Sequence, residues 1–276
     1  MKLRAGKFLL DLDRPLVMGI VNVTPDSFSD GGRYLPGSAA IAHARRLVDE
    51  GADILDIGGE STRPGAAAVS LQEELDRVMP VLEVLAADDV PLSIDTQKPE
   101  VMSSAIKLGA AMVNDVNALQ APGAVEVCAL SNAAVCLMHK QGAPATMQQS
   151  PDYVDVVAEV LTFLAARSKA CIDAGIACER IVLDPGFGFG KTVEHNFRLL
   201  RELNSFVALG FPVLAGFSRK ASLGIVTGRA AGERLAASIT AAVLCAQNGA
   251  TILRVHDVRE TVDAVKVLMA ARRQTI

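Results

Sequence analysis

Tryptophan is absent from this chain of 276 residues, and aromatic side chains make up only 4% of it against 50% hydrophobic residues overall. The core must therefore be built from Val, Ile, Leu and Ala, the side chains that fill parallel β/α barrels. Long apolar runs are missing too. The longest uncharged stretch, Phe206 to Phe217, spans 12 residues and is broken by Gly210, Pro212 and Gly216, whereas a membrane helix needs about 20 apolar residues. No membrane partner is expected. The amino-terminal MKLRAGKFLLDLDRP lacks the long apolar region and small-residue cleavage site of a secretory signal, so a cytoplasmic location is expected. Cys128, Cys136, Cys171, Cys178 and Cys245 show no CxxC spacing and read as reduced core residues. A long basic run is also lacking. The 31 acids and 27 bases leave a formal charge of −4, which argues against a nucleic-acid partner and requires any bound anion to be held by local groups. With no linker, composition shift or low-complexity tract, residues 1–276 read as one domain.

What the chain does contain is an eightfold alternation. Short apolar runs end at Asn22, Asp56, Asp95, Asn114, His139, Asp184, Ser218 and Arg254, and a helix-patterned stretch follows each. That pattern predicts an α/β fold, a (β/α)8 barrel whose active site lies where the strands' carboxyl ends meet. Lys7 to Leu10 with Arg14 to Val17 form a small preceding hairpin in this reading. Loops from Asn22 to Pro36 and from Gly58 to Ser70 are unusually long and read as mobile lids on that face. Leu71, Leu75, Val78, Leu82 and Leu85 make one helical stripe, with Pro80 expected to kink the helix or shift its start. The longest helix is expected from Pro151 to about Ala174.

The polar residues at the strand ends carry the chemistry. A carboxylate accepts hydrogen bonds and cannot donate, while Asn does both; Asp95, Asn114 and Asp184 at one mouth suit the N–H and NH2 edge of a pterin or guanine. The plainer alternative is that each caps its following helix. Pro185-Gly186-Phe187-Gly188-Phe189-Gly190-Lys191-Thr192 is one residue away from a phosphate loop, because Pro185 stands where the loop needs Gly. Ser218-Arg219-Lys220 and Arg254-Val255-His256 bring cations to the sector where barrels often hold phosphate. Glycoside hydrolysis by paired acids is disfavoured by the scarcity of aromatic platforms. A metal hydrolase would want clustered His, whereas His43 and His195 sit on helix-like stretches.

In this order NVTPDSFSDGG (Asn22 to Gly32), GGESTRPG (Gly58 to Gly65), SIDT (Ser93 to Thr96), VND (Val113 to Asp115), LDPGFGFGK (Leu183 to Lys191), SRK and RVHDV resemble the dihydropteroate synthase family, from about Pro15 to the last helix. The resemblance implies a pterin-binding TIM barrel that transfers a (7,8-dihydropterin-6-yl)methyl group from its diphosphate ester to 4-aminobenzoate. The product is 7,8-dihydropteroate for folate biosynthesis, and sulfonamides are competing ligands. It implies a pterin site at Asp95, Asn114, Met138, Asp184, Phe189, Gly216, Lys220 and Arg254, and a diphosphate site at Asn22, Arg254 and His256 with Mg2+ beside Asn22. The aminobenzoate slot would lie among Phe28, Thr62, Pro64, Phe189 and Lys220, with Ala221 and Ser222 near the carboxylate. Asp30 and Arg63 would order the closed loops, completing a catalytic set of Asn22, Asp30, Arg63, Lys220, Arg254 and His256. Some family members carry Ser where this chain has Ala221, so the group that meets the aminobenzoate carboxylate is open. The family forms homodimers through helices of the barrel's later half, here near Ala236 to Cys245. Two other readings are a pterin-binding methyltransferase acting on a corrinoid and a paralogue that only binds pterin. The lid strings and SRK disfavour the first, and intact Asn22, Arg63, Lys220, Arg254 and His256 disfavour the second.

Overall fold

The computed structural model describes residues 1–24, 36–61, 68–142, 147–148 and 150–272. Eight parallel strands form the central sheet: β3 (Leu16–Asn22), β4 (Ile54–Gly58), β5 (Leu92–Asp95), β6 (Met112–Asp115), β7 (Ala134–Met138), β8 (Ile181–Asp184), β9 (Leu214–Ala215) and β10 (Ile252–Val255). Their order is β8-β7-β6-β5-β4-β3-β10-β9. A parallel bridge between Leu183 and Val213 joins the two ends, and the Leu183 N–H donates to the Pro212 carbonyl at 2.9 Å, so the sheet closes into a barrel. Outside it lie α1 (Pro36–Asp49), α2 (Leu71–Leu85), α3 (Pro99–Lys107), α4 (Ala124–Ala129), α5 (Val156–Asp173), α6 (Val193–Arg201), α7 (Asn204–Val207), α8 (Ala221–Thr227), α9 (Leu235–Gln247) and α10 (Val258–Arg272).

Strand periodicity sorts the core into two layers. Odd-numbered residues such as Val17, Leu55, Ile57, Val113, Val135 and Leu253, and in β5 the even-numbered Leu92 and Ile94, face outward and pack against the helices. Even-numbered Met18, Ile54, Met112, Cys136, Val182 and Ile252 fill the interior. With both faces covered, the strands read as nearly unbroken apolar runs, as parallel strands do. At their carboxyl ends the inward positions turn polar, and this change of chemistry makes the site.

The expected hairpin is present, in a different register. β1 (Lys2–Ala5) pairs antiparallel with β2 (Phe8–Asp11), while Leu16 and Val17 belong to the barrel strand β3. Leu3 and Ala5 are buried among the interior residues, so the hairpin closes the barrel's amino-terminal end. Gly6 holds it there, donating to the Asn132 carbonyl at 2.9 Å.

One helix boundary follows the periodicity and another departs from it. α2 starts at Leu71, where the Ser70 hydroxyl oxygen accepts from the Glu73 N–H at 3.2 Å, and continues past Pro80 to Leu85 without a shifted start. α5 starts at Val156 and not at Pro151, because the Asp155 carboxylate accepts from Val157 and Ala158 N–H and stops the helix there. Four cysteines are buried as expected, and Cys178 is exposed. No helix among the described residues is long and apolar enough to cross a membrane.

Because Leu3 is fully buried in the barrel's lower layer, Leu3→Ala should cost about 2 to 5 kcal/mol of stability. The midpoint of urea unfolding reads this directly. Ligand binding at the opposite end should be unchanged in the folded variant.

Candidate active site

A cavity opens at the carboxyl ends of the strands, lined by Asp95, Asn114, Val116, Met138, Asp184, Phe187, Phe189, Gly216, Lys220 and Arg254. All eight residues that the resemblance assigned to pterin are therefore in one place. Asp95, Asn114, Met138 and Asp184 come from β5, β6, β7 and β8 and Arg254 from β10, each at an inward position of its strand. Gly216 follows β9. A Cβ there would lie 3.9 Å from the Arg254 side chain, so the glycine leaves that stem uncovered.

The floor is one ionic network. Arg254 donates through Nε to Asp56 Oδ2 at 2.6 Å and through Nη2 to Asp95 Oδ2 at 2.7 Å. Asn114 Nδ2 donates to the same Asp56 oxygen at 3.0 Å. The guanidinium edge is thus largely occupied by protein, and its face is what remains for a flat ring. Burial works against the Arg254 charge, but Asp56 and Asp95 outweigh it and raise the pKa further. Burial also lifts the Asp95 carboxyl to about 7, against the pull of Arg254 and with Asp56 and Asp115 adding to the rise. Asp184 is raised by burial too, while the Gly186 N–H and Lys220 work the other way. Asp184 Oδ1 accepts from Gly186 at 2.7 Å, leaving Oδ2 for a ligand donor.

Lys220 precedes α8, and its Nζ lies 4.1 Å above the centre of the Phe189 ring. The left-handed Arg219 before it (φ 56°) bends the chain so that the two cations diverge. Arg219 forms a fork with Asp257 at 3.1 and 2.5 Å, and is the surface ion pair that a charge at that position suggests. His256 Nδ1 lies 3.0 Å from Ser218 Oγ. Asn22 is half-buried at the end of β3. Ala221 is exposed and opens α8, whereas Ser222 is buried and its Oγ accepts from Asn196 Nδ2 at 3.0 Å. Phe28, Asp30, Thr62, Arg63 and Pro64 lie outside the described residues.

The glycine-rich turn is not an anion nest. Its Gly186 and Gly188 amides are taken by Asp184 and Asn196 side chains, and the Lys191 amine is buried, donating to the carbonyls of Gly186, Phe189 and His139 at 2.9, 3.1 and 3.3 Å. Burial brings that amine down to about 7. His139 turns outward to Lys191, Tyr153 and Phe163, so Met138 and not His139 represents β7 in the cavity.

Asp56 is the member that the site assignment left out. It stands within β4 and two residues before Gly58, so the two-residue period alone puts it on the inward face with Gly58. Val116 and Phe187 are the other omissions, and neither carries a polar signal. In VND, Asp115 faces outward and accepts from the Asn117 and Leu119 N–H groups at 2.7 Å each, a supporting role.

Such a floor, with three carboxylates, an amide and a guanidinium face below one lysine, defines an enzyme site for a flat, donor-edged heterocycle. The family described as pterin binding enzyme matches residues 18–256. The dihydropteroate synthase of Escherichia coli strain K12 is 51% identical, over 98% of this chain and 96% of that protein. The Xanthomonas albilineans dihydropteroate synthase structure with 4-aminobenzoic acid has a TM-score of 0.95 at 54% identity, covering 99% of this chain and 98% of that one. A Yersinia pestis dihydropteroate synthase structure with a sulfonamide drug complex gives 0.94 at 49%, covering 99% of each. The chain belongs to the dihydropteroate synthase family of pterin-binding enzymes.

The Asp95 carboxyl gives a pH test. With its folded pKa raised to about 7 from roughly 3.9 in an unfolded chain, it takes up a proton as pH falls from 8 to 6 and loses acceptor capacity. The same shift makes its contribution to stability decline as pH rises from about 4 to 7, since the folded state then binds more protons. Calorimetry should show affinity for a pterin analogue falling several-fold between pH 8 and 6. Asp95→Asn should bind weakly with a flatter pH dependence.

Proposed function

We infer that this chain condenses (7,8-dihydropterin-6-yl)methyl diphosphate with 4-aminobenzoate, giving 7,8-dihydropteroate and diphosphate in folate biosynthesis. The observation that carries the reading is the convergence of Asp95, Asn114, Asp184, Lys220 and Arg254 on one cavity, with family membership beside it. Asp184, Asn114 and Asp95 accept and donate along the pterin's amide and amine edge. Arg254 lies on the ring face, and Lys220 reaches the N5 and O4 side.

Chemically, the ester carbon is attached to an electron-rich pterin, so the C–O bond breaks ahead of attack and the cation is delocalised into the ring. The bond's electron pair leaves with diphosphate, the aminobenzoate nitrogen then bonds to the carbon, and that nitrogen loses a proton. No protein nucleophile is needed. The protein stabilises the departing anion and keeps water from the cation. Asn22, Arg254 and His256 hold the diphosphate in this reading, and Phe28, Thr62 and Pro64 with Phe189 and Lys220 wall the aminobenzoate. Asp30 and Arg63 order the two long connections, and Ala221 and Ser222 lie toward the aminobenzoate carboxylate.

Mg2+ fits a limited role. Among the described residues no cluster of three His, Cys, Asp or Glu stands ready for a metal. Mg2+ typically keeps waters and substrate phosphates with only one or two protein oxygens, and the amide oxygen of Asn22, half-buried at the mouth, suits that part. When bound, the ion neutralises diphosphate charge. Sulfonamides would compete for the aminobenzoate slot. A cytoplasmic location accords with five free cysteines. A homodimer through α8 and α9 accords with the exposed Ile225, Val226, Leu235 and Leu244, and sedimentation velocity tests it.

Product formation from the two substrates decides the reading, since neither a corrinoid methyltransferase nor a pterin-binding paralogue makes dihydropteroate. Asp184→Asn should lose most pterin affinity, because a donor replaces one acceptor against two ligand donors, a mismatch of about 1 to 3 kcal/mol or more with the lost charge. Unchanged affinity by calorimetry would refute the assignment of the edge. Ala221→Ser should tighten aminobenzoate by no more than about 1.5 to 3 kcal/mol, read as a lower KM with pterin affinity unmoved.

A further inference from the structure

The turn from Pro185 to Gly190 is braced from inside by two buried side chains that do not line the cavity, Lys191 and Asn196. Lys191 holds the carbonyl side of the turn. Its amine draws the Gly186 and Phe189 oxygens to the end of β7, and so secures Gly186 and the Asp184 carboxylate that Gly186 meets. Asn196 holds the other side. Its Oδ1 accepts from the Gly188 N–H at 2.6 Å, while Nδ2 donates to Thr192 O at 2.7 Å, Lys191 O at 3.3 Å and Ser222 Oγ at 3.0 Å. The amide cannot be turned over without setting its NH2 against the Gly188 N–H and its oxygen against two carbonyls.

We propose that Asn196 is a positioning residue: by tying Gly188 to Ser222 it sets the spacing between Phe189 and Lys220, two of the walls of the aminobenzoate slot. The inference rests on the slot assigned above. Gly188 precedes Phe189, and Ser222 follows Lys220 by two residues, so one amide links the segments that carry both walls. The fit between them is already close, since a Cβ on Gly188 would lie 3.1 Å from Lys220 Cδ. The attraction of the Lys220 ammonium for the Phe189 ring at 4.1 Å weakens as they separate. Of the residues assigned to pterin, Phe189 and Lys220 move with this link, whereas Asp95, Asn114 and Arg254 stand on strands and Asp184 meets a Gly186 that Lys191 still holds, so pterin affinity falls less than aminobenzoate binding does.

Asn196→Leu tests the inference in the full-length enzyme. With wild type first shown to form dihydropteroate, the variant should raise the KM for 4-aminobenzoate by roughly 10-fold, the loss of about one hydrogen-bonded constraint. Its kcat should change less, and calorimetric affinity for a pterin diphosphate analogue should fall by less than about threefold, since only two of its eight assigned contacts move. An unchanged aminobenzoate KM, or a matching loss of pterin affinity, overturns the proposal. Wild type that forms no product instead refutes the slot itself. Should Asn196→Leu fail to fold, Asn196→Ala breaks the same tie while leaving room for water to satisfy Gly188 and Ser222, and the same two outcomes apply.

Discussion

The structure of the mouth depends on one partly buried cation. Arg254 stands among Asp56, Asp95 and Asp184, and without it three carboxylates from adjoining regions of one barrel would face each other in a poorly solvated space. Removing one partner of a buried pair costs about 3 to 5 kcal/mol because the other charge is left uncompensated. Here the guanidinium joins β10 to both β4 and β5, and Asn114 extends the network to β6 through the shared Asp56 oxygen. Four strands are thereby set relative to one another at the height where a ligand arrives. A floor ordered in advance needs little rearrangement on binding, which is how a polar site keeps its affinity.

The same network explains the division of roles around the cavity. With its edge occupied by protein carboxylates, Arg254 presents a face, suited to a ring. Asp184 spends one oxygen on the Gly186 N–H and keeps the other. The glycine-rich turn directs its carbonyls inward to Lys191 and commits its Gly186 and Gly188 amides to side chains, so those two amides are not offered to an anion. The turn instead carries Phe189 to Lys220. Stability is supplied elsewhere, by branched aliphatic side chains between strands and helices and by the hairpin that seals the far end with Leu3 and Ala5.

Strand-by-strand reading of polar endings located most of the floor, because in a barrel every strand's last inward residue reaches the same space. Asp95, Asn114, Asp184 and Arg254 were legible for that reason. His139 was misleading: it follows β7 at an outward position, and only Met138 faces the cavity. Asp56 was visible as a polar ending but received no role, since its partner Arg254 lies 198 residues away in the chain. Helix starts were less legible. Whether Asp155 or an earlier residue capped α5 depended on which side chain could turn back to the free N–H groups.

By itself, then, the order of residues determined the eightfold alternation, the apolar two-residue period within strands and the motifs that mark the family, because these are local patterns written in consecutive positions. Tertiary structure decided which polar groups neutralise one another, that Arg254 offers a face and Arg219 a surface pair, and that Ser222 turns to Asn196. Those outcomes depend on distances between segments far apart in the chain, and such distances exist only once the barrel has closed.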